Sequence, residues 1–350
     1  MRSLFGFLFK DIALSLSVFF LIIFSVIILI SLDRSLFPLY FVYIFVALIA
    51  FWFFSQIDFD IISLFSKHFY IVSIGFLLLT LIIGQVTRGT IRWIPLGPLS
   101  LQPAEIVRPF LLVFFATYMT KSVITLKKMI EAFGLLALPV TLILVQPSLG
   151  VSILIVVGFF GVLLASKFNK KYLIIGLAGV LLLIPFFWRL LAPYQRQRLL
   201  TFLEPASDPL GAGYNSLQST IAAGAGRLFG TGLGKGIQTQ LAFLPEKQTD
   251  FIFAATAEEL GLVGAGLILL VSFVILLRLT HFMENAISPA ARAYISGFFL
   301  TLLVQIFIHV GVNMGMLPVT GLPYPLLSAG GSSLLATMVG LGIALGAYKR

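Results

Sequence analysis

Charged side chains embedded in apolar sequence mark where this chain has chemistry to do. From Gly232 to Glu259 it reads G-L-G-K-G-I-Q-T-Q-L-A-F-L-P-E-K-Q-T-D-F-I-F-A-A-T-A-E-E, so Glu246, Lys247 and Asp250 run into an apolar stretch that still carries Glu258 and Glu259. Acidic groups at membrane depth are costly to bury and are functional suspects by default. Asp250 falls at the expected boundary between water and lipid, where partial desolvation makes a carboxylate a readier proton acceptor, as a general base must be. The competing reading is structural, with Thr249 or Asp250 as the N-cap of the next helix and the charge favoured by the helix dipole. Glu258 and Glu259 lie roughly 12 Å further along a helix rising about 1.5 Å per residue. Their expected role is to organise the helices.

Two further constellations flank this one. Arg88 to Arg108 reads R-G-T-I-R-W-I-P-L-G-P-L-S-L-Q-P-A-E-I-V-R, with Pro103 just before an expected helix start and Glu105 and Arg108 three residues apart on one face. That spacing lets the two pair. They form either a satisfied ion pair at the interface or part of an anion-binding wall, in which Arg92 and Arg108 face a phosphate with their planar, bidentate forks. Asn313 to Ser333 reads N-M-G-M-L-P-V-T-G-L-P-Y-P-L-L-S-A-G-G-S-S. Prolines and glycines at this density break a spanning pattern, which is tolerated only against protein or a watery cavity. Gly330 and Gly331 permit close backbone approach, with Ser332 and Ser333 as hydrogen-bond donors.

The elements that must position these groups are helices in lipid. Of 350 residues, 59% are hydrophobic and 10% charged, against about 25% charged in a soluble domain. Mean hydropathy is +1.09. Apolar runs of spanning length recur from Ile12 onward, and the first is too long and lacks the cleavage site of a signal peptide. The expected fold is all-α: one domain over 1–350, with about ten spans near 12–32, 36–55, 68–85, 104–120, 130–146, 149–166, 172–191, 251–279, 291–313 and 329–347. A long extracytoplasmic loop, about 192–250, joins helices 7 and 8, with a short helix expected around Tyr214 to Ala223. Its glycine-rich stretch Gly224 to Gly236 is expected to be loosely ordered and to move as substrate enters.

Placing both termini in the cytoplasm puts Arg2, Lys10, Lys67, Lys121, Lys127, Lys128, Lys167, Lys170, Lys171, Arg278, Arg292, Lys349 and Arg350 on the inner side, as the positive-inside rule requires. Basic residues in Arg88–Arg108 and Arg189–Lys247 fall on the outer side and need another explanation. The formal charge of +10 is not gathered into a soluble basic face, so nucleic acid is not an expected partner. The chain has no cysteine, and His68, His281 and His309 are dispersed without ligand spacing, so structural roles are expected for them. Neither a Walker loop nor a dinucleotide fingerprint is present. With no nucleotide cofactor, group transfer would draw on an activated lipid-borne donor, and outer arginines beside lipid suit a polyprenyl diphosphate.

Taken together, R-W-I-P-L-G at Arg92, Q-P-A-E at Gln102, Q-P-S-L-G at Gln146, G-Y-N-S-L-Q-S at Gly213, L-P-E-K-Q-T-D-F-I-F at Leu244 and G-G-S-S at Gly330 resemble the SEDS family (shape, elongation, division, sporulation) of bacterial peptidoglycan polymerases. The match spans nearly the whole chain, with separated motifs in the family's order. G-Y-N-S-L-Q-S and G-I-Q-T-Q-L-A-F-L-P-E look more like its RodA branch than its FtsW branch. The resemblance implies a glycosyltransferase that polymerises lipid II at the outer face of the cytoplasmic (inner) membrane during cell elongation and releases undecaprenyl diphosphate. It carries the family's essential acidic residue onto Asp250, the glutamate of its Q-P-x-E motif onto Glu105 and a basic residue onto Arg108, where many members have Lys. Arg92, Gln102, Asn215, Gln218, Ser219, Glu246, Lys247 and Ser332 are the other expected substrate contacts. A divalent cation, Mg or Mn, is expected, held jointly by Asp250 and the substrate diphosphate.

Implied partners are lipid II, the undecaprenyl-diphosphate-linked glycan, a class B penicillin-binding protein acting as transpeptidase, and other elongation-complex proteins. The chain departs from the family at Ala104, where Ser is common, and at Ser148, where Asp is. Gln248 stands where His is common and Ala329 where Tyr is. Asp250 is intact. The FtsW-type division paralogue shares the chemistry. A lipid II flippase is the rival of a different class, but a transporter carries midplane charges on several helices and often paired repeats, neither of which this sequence has.

Overall fold

The computed structural model describes residues 10–87, 90–97, 99–166, 188–189, 193–204 and 211–348. Its long elements are helices because lipid offers no partner for backbone polar groups, so each span must satisfy its own. They are α1 (Ile12–Leu32), α2 (Leu39–Gln56), the short α3 (Phe59–Leu64), α4 (Ser66–Ile83), α5 (Pro103–Thr120), α6 (Leu126–Val145) and α7 (Leu149–Ala165). After them come α8 (Pro193–Leu203), α9 (Ala212–Ala225), α10 (Ile237–Gln240), α11 (Ile252–Glu284), α12 (Pro289–Asn313) and α13 (Gly331–Gly346). Helices α1, α2, α4, α6, α11 and α12 are long and apolar enough to cross a membrane, while α7 and α13 are shorter apolar helices. Nine of the expected spans have a counterpart, displaced by a few residues at most, whereas the span at 172–191 lies outside the described residues but for 188–189.

The outward faces are apolar. Phe45, Val72 and Phe307 are each more than 60% exposed, as side chains bathed in acyl chains would be. Helix α12 packs on α5, α7 and α11, and α13 packs on α2 and α5. Helix α5 is enclosed along most of its length, including Glu105 and Arg108. The all-α expectation needs one local addition: β1 (Gln85–Thr87), β2 (Thr90–Leu96) and β3 (Leu99–Leu101) form a small antiparallel sheet in the order β1-β2-β3. Beyond the helix ends, the Ile–Arg–Trp–Ile run favours a pleated strand, and Gly97 at φ +66° turns the chain into β3.

The outer loop also differs from expectation. Gly261 (φ 69°, ψ −165°) breaks α11, and the 226–236 strap is sewn onto the break. Thr231 and Gly232 donate their N–H groups to the carbonyls of Glu258 (2.9 Å) and Glu259 (3.0 Å), while Leu262 and Val263 donate to those of Arg227 (2.8 Å) and Leu228 (3.1 Å). A Cβ on Gly226 or Gly230 would collide with the Ala257 or Glu259 carbonyl. These glycines serve close backbone approach, so the expectation of a loosely ordered strap is corrected. Glu258 accepts from the backbone N–H groups of Gln238 (2.8 Å) and Thr239 (3.0 Å) at the start of α10. Glu259 accepts from Ser31 Oγ at 2.6 Å and Gln240 Nε2 at 3.2 Å. The expected role of both is to organise the helices; Glu259 does tie α11 to α1 through Ser31, while Glu258 holds the outer loop instead.

Candidate active site

Asp250 ends a tight turn at the mouth of the bundle. The backbone N–H groups of Thr249, Asp250 and Phe251 converge on the Glu246 carbonyl at 3.0, 3.1 and 3.3 Å, with Glu246 itself left-handed at φ 52°. For a residue with a Cβ that conformation is strained, and it persists only where surrounding contacts hold it. Here they do. Ser328 Oγ donates to the Thr249 carbonyl at 2.7 Å, and Ala329 N donates to the Gln248 carbonyl at 2.9 Å.

Neither Thr249 nor Asp250 caps α11. Its N-cap is Phe251, with no side-chain cap bond. Asn313, at the end of α12 and fully buried, supplies the cap from across the bundle, its Oδ1 accepting from Ala254 N at 2.9 Å. Its Nδ2 donates to the Asp250 carbonyl at 3.0 Å and the His309 carbonyl at 2.8 Å. Its own carbonyl accepts from Ser219 Oγ at 2.9 Å. One residue thereby joins the catalytic candidate, two helices and the outer loop.

The cationic side of the mouth consists of Arg92 and Arg198. Both line a narrow cleft, with Pro147, Leu149, Pro318 and Thr320. Arg92 donates Nε to the Gln146 carbonyl at 3.0 Å and Nη2 to the Pro147 carbonyl. Arg198 Nη1 donates to the Val319 carbonyl at 3.3 Å. Gly321 adjoins the cleft: a Cβ there would stand 3.8 Å from Asp250 Oδ2 and 3.9 Å from Arg198 Nη1. A carboxylate and a guanidinium thus flank one small point beside a cleft wall.

Arg108 is elsewhere. It is 1% exposed and paired with Glu105 at 3.3 Å, and its Nη1 donates to Gln305 Oε1 at 3.0 Å. Because α5 is enclosed, its polar face meets α12 rather than water. The expected phosphate wall of Arg92 and Arg108 is therefore corrected, with Arg198 in place of Arg108 at the cleft. Gln305 Nε2 donates to the Pro323 carbonyl at 2.8 Å, and His309 Nδ1 bonds the Leu322 carbonyl at 2.8 Å. Gln305, His309 and Asn313 recur every four residues, forming a polar ladder down one face of α12 that ties the 322–323 chain and Asp250 to the Glu105–Arg108 pair.

Gln102 N donates to Ser332 Oγ at 2.8 Å. Ser332 is only 3% exposed, so it fastens the α5 start to α13 rather than presenting a donor at the cleft. On α9, Asn215 and Gln218 are half-buried and Ser219 is buried. Glu246 accepts from Thr249 Oγ at 3.3 Å. Lys247 donates to the Thr239 carbonyl and lies near Asp33, whose carboxyl the Ser35 hydroxyl and backbone N–H hold below the ordinary carboxylate range. Lys247 is thus directed to α10 and the turn after α1, not the cleft. Sequence reasoning missed Arg198, Gln305, Asn313 and Ser328. The four-residue recurrence of polar groups in an apolar helix was a readable signal for two of them; Arg198 had none beyond lying in a basic outer region.

Among the described residues, no group of three or more His, Asp or Glu side chains is placed to hold a metal ion. A single carboxylate suits an ion shared with substrate phosphates, the usual mode for Mg²⁺. Asp250 fits that mode.

Membrane-length helices that open at one end on an aspartate and two arginines define a polytopic membrane protein with a charged mouth. Residues 5–349 match the model of the FtsW, RodA and SpoVE cell cycle proteins, and the chain belongs to that family. The peptidoglycan glycosyltransferase MrdB of Escherichia coli K12 is 39% identical over 283 residues, covering 80% of this chain and 76% of the relative. The probable peptidoglycan glycosyltransferase FtsW of Nitrosococcus halophilus is 38% identical over 287 residues, covering 79% and 73%. A chain from a structure of a peptidoglycan synthase complex that coordinates polymerisation and crosslinking superposes with a TM-score of 0.82 at 30% identity, covering 96% of each chain. The rod shape determining protein RodA of Thermus thermophilus superposes at 0.72 with 26% identity, covering 97% and 98%.

Proposed function

We propose that this chain is a peptidoglycan glycosyltransferase that polymerises lipid II into glycan strands during cell elongation. The observation that carries the reading is Asp250 beside the Arg92–Arg198 cleft at one end of a membrane bundle. Asp250 takes the proton from the 4-hydroxyl of the acceptor lipid II. The freed oxygen attacks the muramyl anomeric carbon of the growing strand, a C–O bond forms with inversion, and the bond to the diphosphate oxygen breaks. Arg92 and Arg198 offset the charge of the departing undecaprenyl diphosphate, the interaction that most favours such a transition state. A divalent cation, Mg or Mn, held by Asp250 together with the diphosphate would supply Lewis-acid stabilisation of the leaving group. Asn313 and Ser328 act on the reaction only by holding the Asp250 turn.

The Asp250 end faces outward across the inner membrane, with both termini in the cytoplasm. At the opposite end, Arg278 pairs with Asp11 and Lys10 bonds the Ser55 carbonyl, consistent with positive charge on the inner side. A class B penicillin-binding protein crosslinks the strands as partner, and further elongation-complex proteins assemble with the pair. The superposed chain from a polymerisation–crosslinking complex supports that partnership. The FtsW-type division role has the same chemistry, and the similarity to the Nitrosococcus FtsW keeps it as the alternative. The test is purified protein in liposomes with labelled lipid II, wild type beside Asp250→Asn. Wild type should form glycan polymers and the variant none, at unchanged lipid II binding. Polymer from Asp250→Asn at a sizeable fraction of the wild-type rate overturns the base assignment. Exchange of lipid II between leaflets without polymer replaces the enzyme with a transporter.

A further inference from the structure

At the end of the bundle opposite Asp250, α5 stops at Thr120 and α6 begins at Leu126. The corner between them forms an open recess lined by Tyr118, Lys121, Ser122, Thr125, Lys127 and Lys128, with Val123 and Glu131 beside them. We infer that this corner binds the headgroup of an anionic phospholipid.

Lys128 forms the floor. It is 9% exposed, and its ammonium donates to the Met119 carbonyl (3.2 Å), the Ser122 carbonyl (2.9 Å) and Ser122 Oγ (3.0 Å). It also stands 5.5 Å from the centre of the Tyr118 ring. All these partners are neutral, so the charge is fixed in place but not cancelled. The nearby carboxylate, Glu131, accepts instead from Tyr118 Oη at 2.9 Å. Lys121 and Lys127 are exposed, and neither makes a hydrogen bond or ion pair among the described residues. Three ammonium groups therefore meet one carboxylate at this recess. An anion is the ligand that such a balance accepts.

The neighbouring side chains say which anion. Val123 is 83% exposed, Ile130 64% and Leu126 54%. A corner of exposed aliphatic side chains between lysines is costly in water and favourable in acyl chains. Lysine stems lie along such a surface while their ammonium groups reach the phosphate level. A phosphodiester bearing acyl tails satisfies both halves, with its phosphate between Lys121 and Lys127 and its tails against Leu126 and Ile130. A soluble phosphate would leave the aliphatic half unused. Basic pockets between helix ends on the inner leaflet are suited to such headgroups.

The test titrates the full chain in detergent with phosphatidylglycerol, and separately with phosphatidylcholine, reading bound lipid by native mass spectrometry. Phosphatidylglycerol should bind more tightly than phosphatidylcholine. Lys121→Gln with Lys127→Gln should weaken phosphatidylglycerol binding about 25-fold, the effect of two surface ammonium groups, and leave phosphatidylcholine unchanged. Lys67→Gln, an exposed lysine at the same end of the bundle on α4, should change neither. Wild-type affinity in the double variant overturns the site. An equal loss in Lys67→Gln reduces it to diffuse charge, and displacement of the lipid by an equal concentration of inorganic phosphate reassigns it to a soluble anion.

Discussion

Replacing Asn313 by alanine tests whether the Asp250 turn is held from across the bundle. The change deletes three side-chain hydrogen bonds: the cap to Ala254 N at 2.9 Å and the donations to the Asp250 carbonyl at 3.0 Å and the His309 carbonyl at 2.8 Å. A lost helix cap costs about 1 kcal/mol, and each net hydrogen bond in a folded protein contributes about 1 kcal/mol. The sum is about 3 kcal/mol, because Ala254 and Asn313 are fully buried and water does not replace the lost partner. The bond from Ser219 to the Asn313 backbone survives the substitution. Unfolding in detergent micelles followed by tryptophan fluorescence reads the stability loss, and lipid II polymerisation reads turnover. A displacement of the Asp250 turn by about 1 Å is enough to slow turnover by about 10²-fold. Asn313→Asp keeps the acceptor for Ala254 N but loses both donated bonds and buries a carboxylate against the Asp250 and His309 carbonyls, so it should lose at least as much stability as alanine and also be slow. Asn313→Ala with stability within about 0.5 kcal/mol of wild type and full polymerisation would refute the account of the ladder.

Arg198→Ala should raise the lipid II concentration for half-maximal rate by about 10-fold or more, since a hydrogen bond to a charged group contributes about 1.5–3 kcal/mol; an unchanged concentration dependence would remove Arg198 from the cleft's function. Arg108→Ala should destabilise the protein by about 3–5 kcal/mol by leaving Glu105 buried and alone, whereas Arg108→Lys keeps the pair and should cost less. Equal melting curves for the two would show that the Gln305 bond, which needs the guanidinium fork, carries the effect. Gly230→Ala should release the strap from α11, because the new Cβ meets the Glu259 backbone. Hydrogen exchange at Thr231 and Gly232 should then rise, and unchanged protection would mean the strap is anchored elsewhere.

The membrane class and nearly all span positions were readable because the constraint is local. A lipid-bathed backbone must bond to itself, so every apolar run of sufficient length becomes a helix whatever surrounds it. The first helix ran from Ile12 to Leu32 as expected, and α12 began two residues before its expected start at 291. Asp250 stood out as a candidate for a related reason, since carboxylates at a lipid boundary are conspicuous in one dimension. The roles of the glycines were not. Gly226, Gly230 and Gly261 permit mobility and close approach equally well, and only the meeting of the strap with the broken helix decides between them.

The same division runs through the polar residues. Sequence alone determined that Glu105 and Arg108 share a helix face and are able to pair, because three-residue spacing suffices. It did not determine which way that face points. Arginine serves a buried ion pair and a phosphate site with the same fork. Only the packing of α5 against α12 turned Arg108 inward to Gln305, and only the folding of α8 over the 318–320 segment brought Arg198 to the cleft in its place. Residue type and spacing determine what a side chain is able to bond. Which partner it meets depends on chain segments far away in sequence, as Asn313 and Ala254 are, and that is decided by tertiary packing.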